Sequence, residues 1–202
     1  MNVKRCFLFC LAIAGLGLAS CASPPVPIAF TDQGKTKVLR CSVRAQENRL
    51  YVSSYIAPQF AVTSPVGSPA EVTMFSTQRM DITLNKIPYI MYPMTVPFTP
   101  TPDQFLARYL VADKEKLGLD KMEATKRQNI LNGVAQLGMT KDEVYMSLGP
   151  PVWVDFDYDA TNLTYEAIMD KNRWVYATTN VMGFLWKQVY LFSDGKLTGT
   201  IQ

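Results

Sequence analysis

Apolar positions in this chain change their period near Pro151. Before it, short runs with helical spacing carry marked ends; after it, alternation with period two takes over. The clearest run is Gly138-Met139-Thr140-Lys141-Asp142-Glu143-Val144-Tyr145-Met146-Ser147-Leu148-Gly149-Pro150-Pro151. Thr140 is a good N-cap, and Glu143 three residues on completes a capping box. Gly149 supplies the positive φ that ends a helix, and the two prolines forbid continuation. Val144 and Leu148, four apart, share a face, with Met146 adding a further apolar contact. Thr101-Pro102-Asp103-Gln104 opens another helix with the same grammar, and Phe105, Leu106, Tyr109 and Leu110 give it an apolar face. Asp120-Lys121-Met122-Glu123 opens a third, running towards Leu131 and ended by Asn132-Gly133.

After Pro151, Val152, Val154, Phe156 and Tyr158 face one way and Trp153, Asp155, Asp157 and Asp159 the other, which predicts a strand. Segments 172–178, 185–192 and 196–201 are the next strands, with Asp194-Gly195 a strong hairpin turn. Residues 101–202 therefore read as helices followed by an antiparallel meander, an α+β layer. Between 36 and 98 the pattern is all β. Strands are expected at 36–43, 49–56, 71–75, 79–84 and, more weakly, 86–91, with Gln46-Glu47-Asn48 turning the first pair into a hairpin. Short strands at this spacing suggest a small barrel or sandwich, and an SH3-like barrel is expected. Pro93, Pro97, Pro100 and Pro102 mark the boundary, and 101–202 is expected to fold alone.

The first 35 residues do not belong to this pattern. Lys4 and Arg5 form a basic start, and Cys6–Leu18 is an apolar run too short to span a bilayer comfortably. The run ends in Leu18-Ala19-Ser20-Cys21, which resembles a bacterial lipobox. That resemblance implies cleavage of residues 1–20, lipid on the sulfur and amino group of Cys21, and, because Ala22 follows, export to the outer membrane with the protein facing the periplasm. Residues 21–35, rich in proline and turn formers, read as a tether.

Charge and cysteine usage narrow the functional classes. Without residues 1–20 the chain has 18 basic and 17 acidic side chains, a balance that argues against nucleic acid as a partner. Cys41 is then the one thiol not committed to lipid or lost with the leader, so no internal disulfide forms; its spacing suits a buried apolar role. There is no histidine, which excludes Ser-His-Asp and Cys-His catalysis and His-ligated metals. No phosphate-binding glycine loop is present, and neither a catalytic set, a cofactor nor a small-molecule substrate is expected.

Gly138-Met139-Thr140, Val144 and Leu148-Gly149-Pro150 together resemble the SmpA/OmlA (BamE-like) family of outer-membrane lipoproteins. Trp174-Val175-Tyr176 is similar to that family's Trp-x-Tyr strand, and Val189-Tyr190-Leu191-Phe192 with Asp194-Gly195-Lys196-Leu197 to its last hairpin. The resemblance covers the last third of the chain. It implies two helices on a three-stranded sheet and a non-catalytic accessory role in cell-envelope maintenance or outer-membrane β-barrel assembly, with assembly proteins as partners. The alternative is a periplasmic inhibitor or ligand-binding protein, since similar helix–sheet units occur in β-lactamase-inhibitor proteins.

Three further clusters carry chemistry. Asp155, Asp157, Asp159 and Glu166 fall at positions one, three, five and twelve of a calcium loop, but Ala160 stands where the tight turn needs glycine, so no metal is expected. Phe184, Leu185 and Trp186, beside Gly183, are the surface candidates for partner binding. Lys35, Lys37, Arg40, Arg44 and Arg49 lie close to the anchor and form a basic segment suited to anionic headgroups.

Overall fold

The computed structural model describes residues 25–51, 61–92, 101–155, 158–179 and 185–201. They form a mixed α+β structure of two sheets and four α-helices. The first sheet contains β1 (Thr36–Leu39), β2 (Ala45–Gln46), β3 (Arg49–Leu50), β4 (Pro69–Phe75), β5 (Met80–Leu84), β6 (Ile87–Met91) and β7 (Leu110–Val111). Their order is β2-β3-β6-β5-β4-β1-β7. Pairing is antiparallel except between β3 and β6. β5 alternates buried and half-buried positions, as expected of a central strand with one core face. The expected hairpin of 36–43 with 49–56 is not formed: β1 pairs with β4 and β7, and the turn with Glu47 at φ 54° joins the short β2 to β3 instead.

The first strand is shorter than its sequence suggests because tertiary partners take over its hydrogen bonds. Beyond Leu39, the Arg40 N–H donates to the Tyr109 carbonyl at 2.7 Å and the Ser42 N–H to the Met146 carbonyl at 2.8 Å. The expected 49–56 strand is observed at 49–50, and residues 52–60 lie outside the described residues.

The helices are α1 (Pro102–Leu106), α2 (Ala124–Leu131), α3 (Lys141–Leu148) and α4 (Tyr165–Met169). Both predicted capping boxes form, Thr101–Gln104 and Thr140–Glu143. α2 starts later than expected. Glu123 caps it, its carboxylate accepting from the Thr125 and Lys126 N–H groups, while 119–121 forms a 3-10 turn. α4 was not legible as a helix from apolar spacing; Thr164 caps it by accepting from the Ala167 N–H.

The second sheet has β8 (Trp153–Val154), β9 (Tyr158–Asp159), β10 (Arg173–Thr179), β11 (Leu185–Ser193) and β12 (Lys196–Ile201) in the order β12-β11-β10-β8-β9. Its last three strands are the expected meander, and Asp194 and Gly195 both take positive φ in the connecting turn. The expected single strand from Val152 to Tyr158 is instead the hairpin β8–β9. Asp155 sits at φ 51°, which breaks the extended run and splits it in two, so the four expected strands become five.

The proline-rich stretch does not mark a break in packing. β7, C-terminal to it, completes the first sheet against β1. One apolar core runs through Leu39, Ile82, Phe105, Tyr145 and Trp174. α3 lies inside that core. Val144, Tyr145, Met146, Ser147 and Leu148 are all buried, so both its flanks are covered. The Tyr145 hydroxyl donates to the Arg108 carbonyl at 3.0 Å, and Trp174 packs edge-on against its ring at 6.1 Å. The Ser42 hydroxyl donates to the Ile130 carbonyl at 3.2 Å and accepts from the Val66 N–H at 3.1 Å.

Substitutions in α3 should therefore rank by mechanism. Thr140→Ala removes a cap and should cost about 1 kcal/mol. Gly149→Val places a β-branched residue at φ 77°, ψ −167°, a region open essentially to glycine alone, and should cost about 2 kcal/mol or more. Leu148→Asp buries an unpaired charge and should cost the most, about 4 kcal/mol or above. Denaturant melts of the three variants check the order, and the shared core predicts one cooperative transition. Two well-separated transitions would show that the halves unfold independently.

Candidate functional site

The segments that carry the family resemblance converge in space. The Gly138 N–H donates to the Leu197 carbonyl at 2.8 Å, and the Leu197 N–H returns a bond to the Met139 carbonyl at 2.7 Å. The Lys141 N–H reaches the Gly195 carbonyl at 3.1 Å. The Tyr176 hydroxyl donates to the Gly149 carbonyl at 2.8 Å, and Trp174 Nε1 to the Ile168 carbonyl at 3.2 Å. Trp174 also packs on Phe192, ring centres 4.6 Å apart. Burial raises the Tyr176 hydroxyl well above its ordinary range, so it stays protonated and donates. These residues fix one another, and their polar atoms are spent on the fold.

A different place offers open chemistry. An open groove of about 390 Å³ lies between residues 30–32, β1, α1 and β7. Its position follows from how the start of the described chain docks. The Ile28 N–H donates to the Phe75 carbonyl at 2.8 Å, and Thr31 ties to Asp103 through its N–H at 3.0 Å and its hydroxyl at 2.7 Å. Beneath it, Phe30, Phe75, Phe105 and Tyr109 form a chain of ring contacts with successive centres 5.3–6.4 Å apart. The stretch read as a tether is thus seated on β4 at Ile28 and Gly34 and on α1 at Thr31.

Four cations line this groove, Lys35, Lys37, Arg40 and Lys116, against the two carboxylates Asp32 and Asp103. Lys37 and Lys35 both pair with Asp32, and these bonds, that from Lys37 first, hold its carboxyl below the usual range. Asp103 is taken up by Thr31. Arg40 stacks 3.8 Å over the Tyr165 ring, whose hydroxyl donates to Asp142. Burial first, and the Asp142 bond second, raise that hydroxyl far above its ordinary range. Neither Arg40 nor Lys116 forms an ion pair among the described residues, and the buried Arg40 Nε has no hydrogen-bond partner. The remaining groove wall is apolar, with Val72, Leu106, Leu110 and Val111.

The basic segment predicted from sequence is split by the fold. Lys35, Lys37 and Arg40 enter the groove. Arg44 turns inward and is buried beside Gly133, and Arg49 on β3 sits over Tyr92 at 5.2 Å. Lys116 completes the groove from a distant 3-10 turn, and no spacing in the sequence signals it. Cys21 and Phe184 lie outside the described residues. Leu185 and Trp186 begin β11, paired with Thr179 and Thr178. Asp155 pairs with Lys171 at 3.2 Å, Glu166 lies on α4, and Asp157 is outside the described residues. Among the described residues no group of three or more histidines, cysteines or acids could hold a metal, and no helix is long and apolar enough to cross a membrane. No known family profile, curated protein or solved structure matches the chain.

Cys41, just past the end of β1, is buried, as its spacing suggests, and burial pushes its thiol up to about 12. A neutral, inaccessible thiol does not react. Iodoacetamide at pH 8 should leave the Cys41 peptide unlabelled in the folded protein and modify it fully in denaturant, as read by peptide mass. Rapid labelling of the native protein would show that this region opens.

Proposed function

We propose that this chain is a lipid-anchored outer-membrane lipoprotein facing the periplasm, held by lipid on Cys21, with a non-catalytic accessory role in the cell envelope or in outer-membrane β-barrel assembly. Its strands from 36 onward would form an SH3-like unit, and 101–202 a SmpA/OmlA-like one. The observation that supports this best is the mutual bonding of Gly138-Met139-Thr140 with Gly195 and Leu197, and of Tyr176 with Gly149. Residues scattered over sixty positions that resemble one family's pattern serve one packing arrangement, as family-defining structural residues should. A lipobox at Cys21, close ahead of the docked segment, supplies the anchor in this reading. Two or more acyl chains make such anchoring stable, each buried methylene adding about 0.8 kcal/mol.

The groove favours a second reading, a periplasmic ligand-binding or inhibitor protein of β-lactamase-inhibitor-like fold, because it is an open concavity with free cations. Affinity purification from detergent-solubilised membranes separates the two: assembly factors should co-purify under the first reading, a soluble enzyme under the second. For the anchor, Cys21→Ser should abolish incorporation of radiolabelled palmitate and leave the precursor at its unprocessed size. Undiminished labelling of the variant would sink the lipoprotein reading.

A further inference from the structure

We infer that the end of the first sheet formed by the β4–β5 turn and Tyr92 is the surface this protein lays against the lipid bilayer, with Tyr92 and Val26 at the headgroup layer. This face assignment rests on the lipoprotein reading above, since lipid on Cys21 is what brings a bilayer within reach.

The direction in which the chain enters the fold is the first reason. The stretch ahead of β1 runs antiparallel along β4. The Ile28 N–H donates to the Phe75 carbonyl at 2.8 Å and the Gly34 N–H to the Val72 carbonyl at 3.1 Å. β1 continues the same line, Thr36 opposite Glu71 and Val38 opposite Pro69. The chain therefore enters at the Phe75 end of β4. Thr31 pins the entry to Asp103, and the Gln33 amide donates to the Thr73 carbonyl at 3.0 Å. Counted from Cys21, Ile28 is within a reach of at most about 25 Å. An undocked stretch up to Thr36 would reach about 50 Å and let any face of the protein meet the membrane. The opposite end of the sheet, at Asn85 and Lys86, lies the length of β4 away, about 20 Å. It touches a bilayer only if the whole tether doubles back along the sheet, fully stretched.

What the entry end presents is the second reason. A row of paired residues crosses the sheet there, Phe75 opposite Met80, Met80 opposite Met91 and Met91 opposite Leu50. Past this row lie Thr77 and Gln78, both exposed, and Tyr92, 45% exposed. Val26, just ahead of Ile28, is 78% exposed. Arg49 lies over the Tyr92 ring at 5.2 Å. Tyrosine suits the boundary between acyl chains and water, because its ring is apolar and its hydroxyl bonds headgroups. Arginine keeps its charge in water while its stem covers apolar surface. The Arg79 charge, at the same end, is met by Asp81 within the protein. The contact is therefore interfacial and needs no anionic lipid.

The test uses the lipidated full chain reconstituted in phosphatidylcholine vesicles that carry a spin label on a fraction of their headgroups. In a Cys41→Ala background, an NBD fluorophore is attached at Thr77→Cys or at Lys86→Cys, exposed turn positions at opposite ends of the sheet. The Thr77 probe should be quenched about threefold or more over the Lys86 probe, which sits about 20 Å further from the lipid. Tyr92→Ser should lower the Thr77 quenching about twofold. Equal quenching at the two positions, or stronger quenching at Lys86, would overturn this orientation. A Tyr92→Ser variant quenched like its parent would overturn Tyr92 as the contact. A chain that takes up no palmitate fails the lipoprotein reading and this one with it, whereas a palmitoylated chain with equal quenching fails this one alone.

Discussion

The burial of α3 on both flanks is the constraint on which the rest of the structure depends. A helix of eight residues is too short to be stable alone, so its sequence specifies the ends and its surroundings supply the energy. Thr140 and Glu143 satisfy the N-terminal donors, and Gly149 turns the chain out through a backbone conformation closed to other residues. Between those ends, the Tyr145 ring packs edge-on with Trp174 and its hydroxyl donates to the Arg108 carbonyl. The Met146 carbonyl accepts from Ser42, and Ser147 returns its hydroxyl to the Glu143 carbonyl within the helix. Because buried polar groups must be paired, each of these bonds commits a specific strand or loop to a specific position.

This arrangement also explains why a chain that looks divided by prolines packs continuously. β7 follows α1 directly and closes onto β1, while Ser42 links the end of β1 to both α2 and α3. The groove is a consequence of the same closure. β1, β7 and α1 line it together with residues 30–32, and Thr31 bonds Asp103 at its edge. Arg40 stacks on the Tyr165 ring, and Lys116 takes part in no ion pair among the described residues.

The sequence by itself determined the elements whose signals are local. Capping boxes at Thr101 and Thr140, the Asp194-Gly195 turn and the strands at 80–84, 87–91 and 196–201 lie where residue chemistry puts them, because caps and tight turns are satisfied within a few residues. The buried state of Cys41 was legible for a similar reason, from its place in an apolar alternation. Tertiary structure decided everything that required distant partners. The alternation from Val152 to Tyr158 predicted one strand, yet a positive φ at Asp155 folded it into a hairpin. The basic run from Lys35 to Arg49 looked like one face, yet a change of direction after Leu39 sent Arg44 inward and left Arg40 on Tyr165. Lys116 joined the groove from far along the chain, and the Asp103 carboxylate accepts two hydrogen bonds from Thr31, seventy-two residues away. Periodicity reports which face of an element is apolar; it carries no information on which other element will cover it.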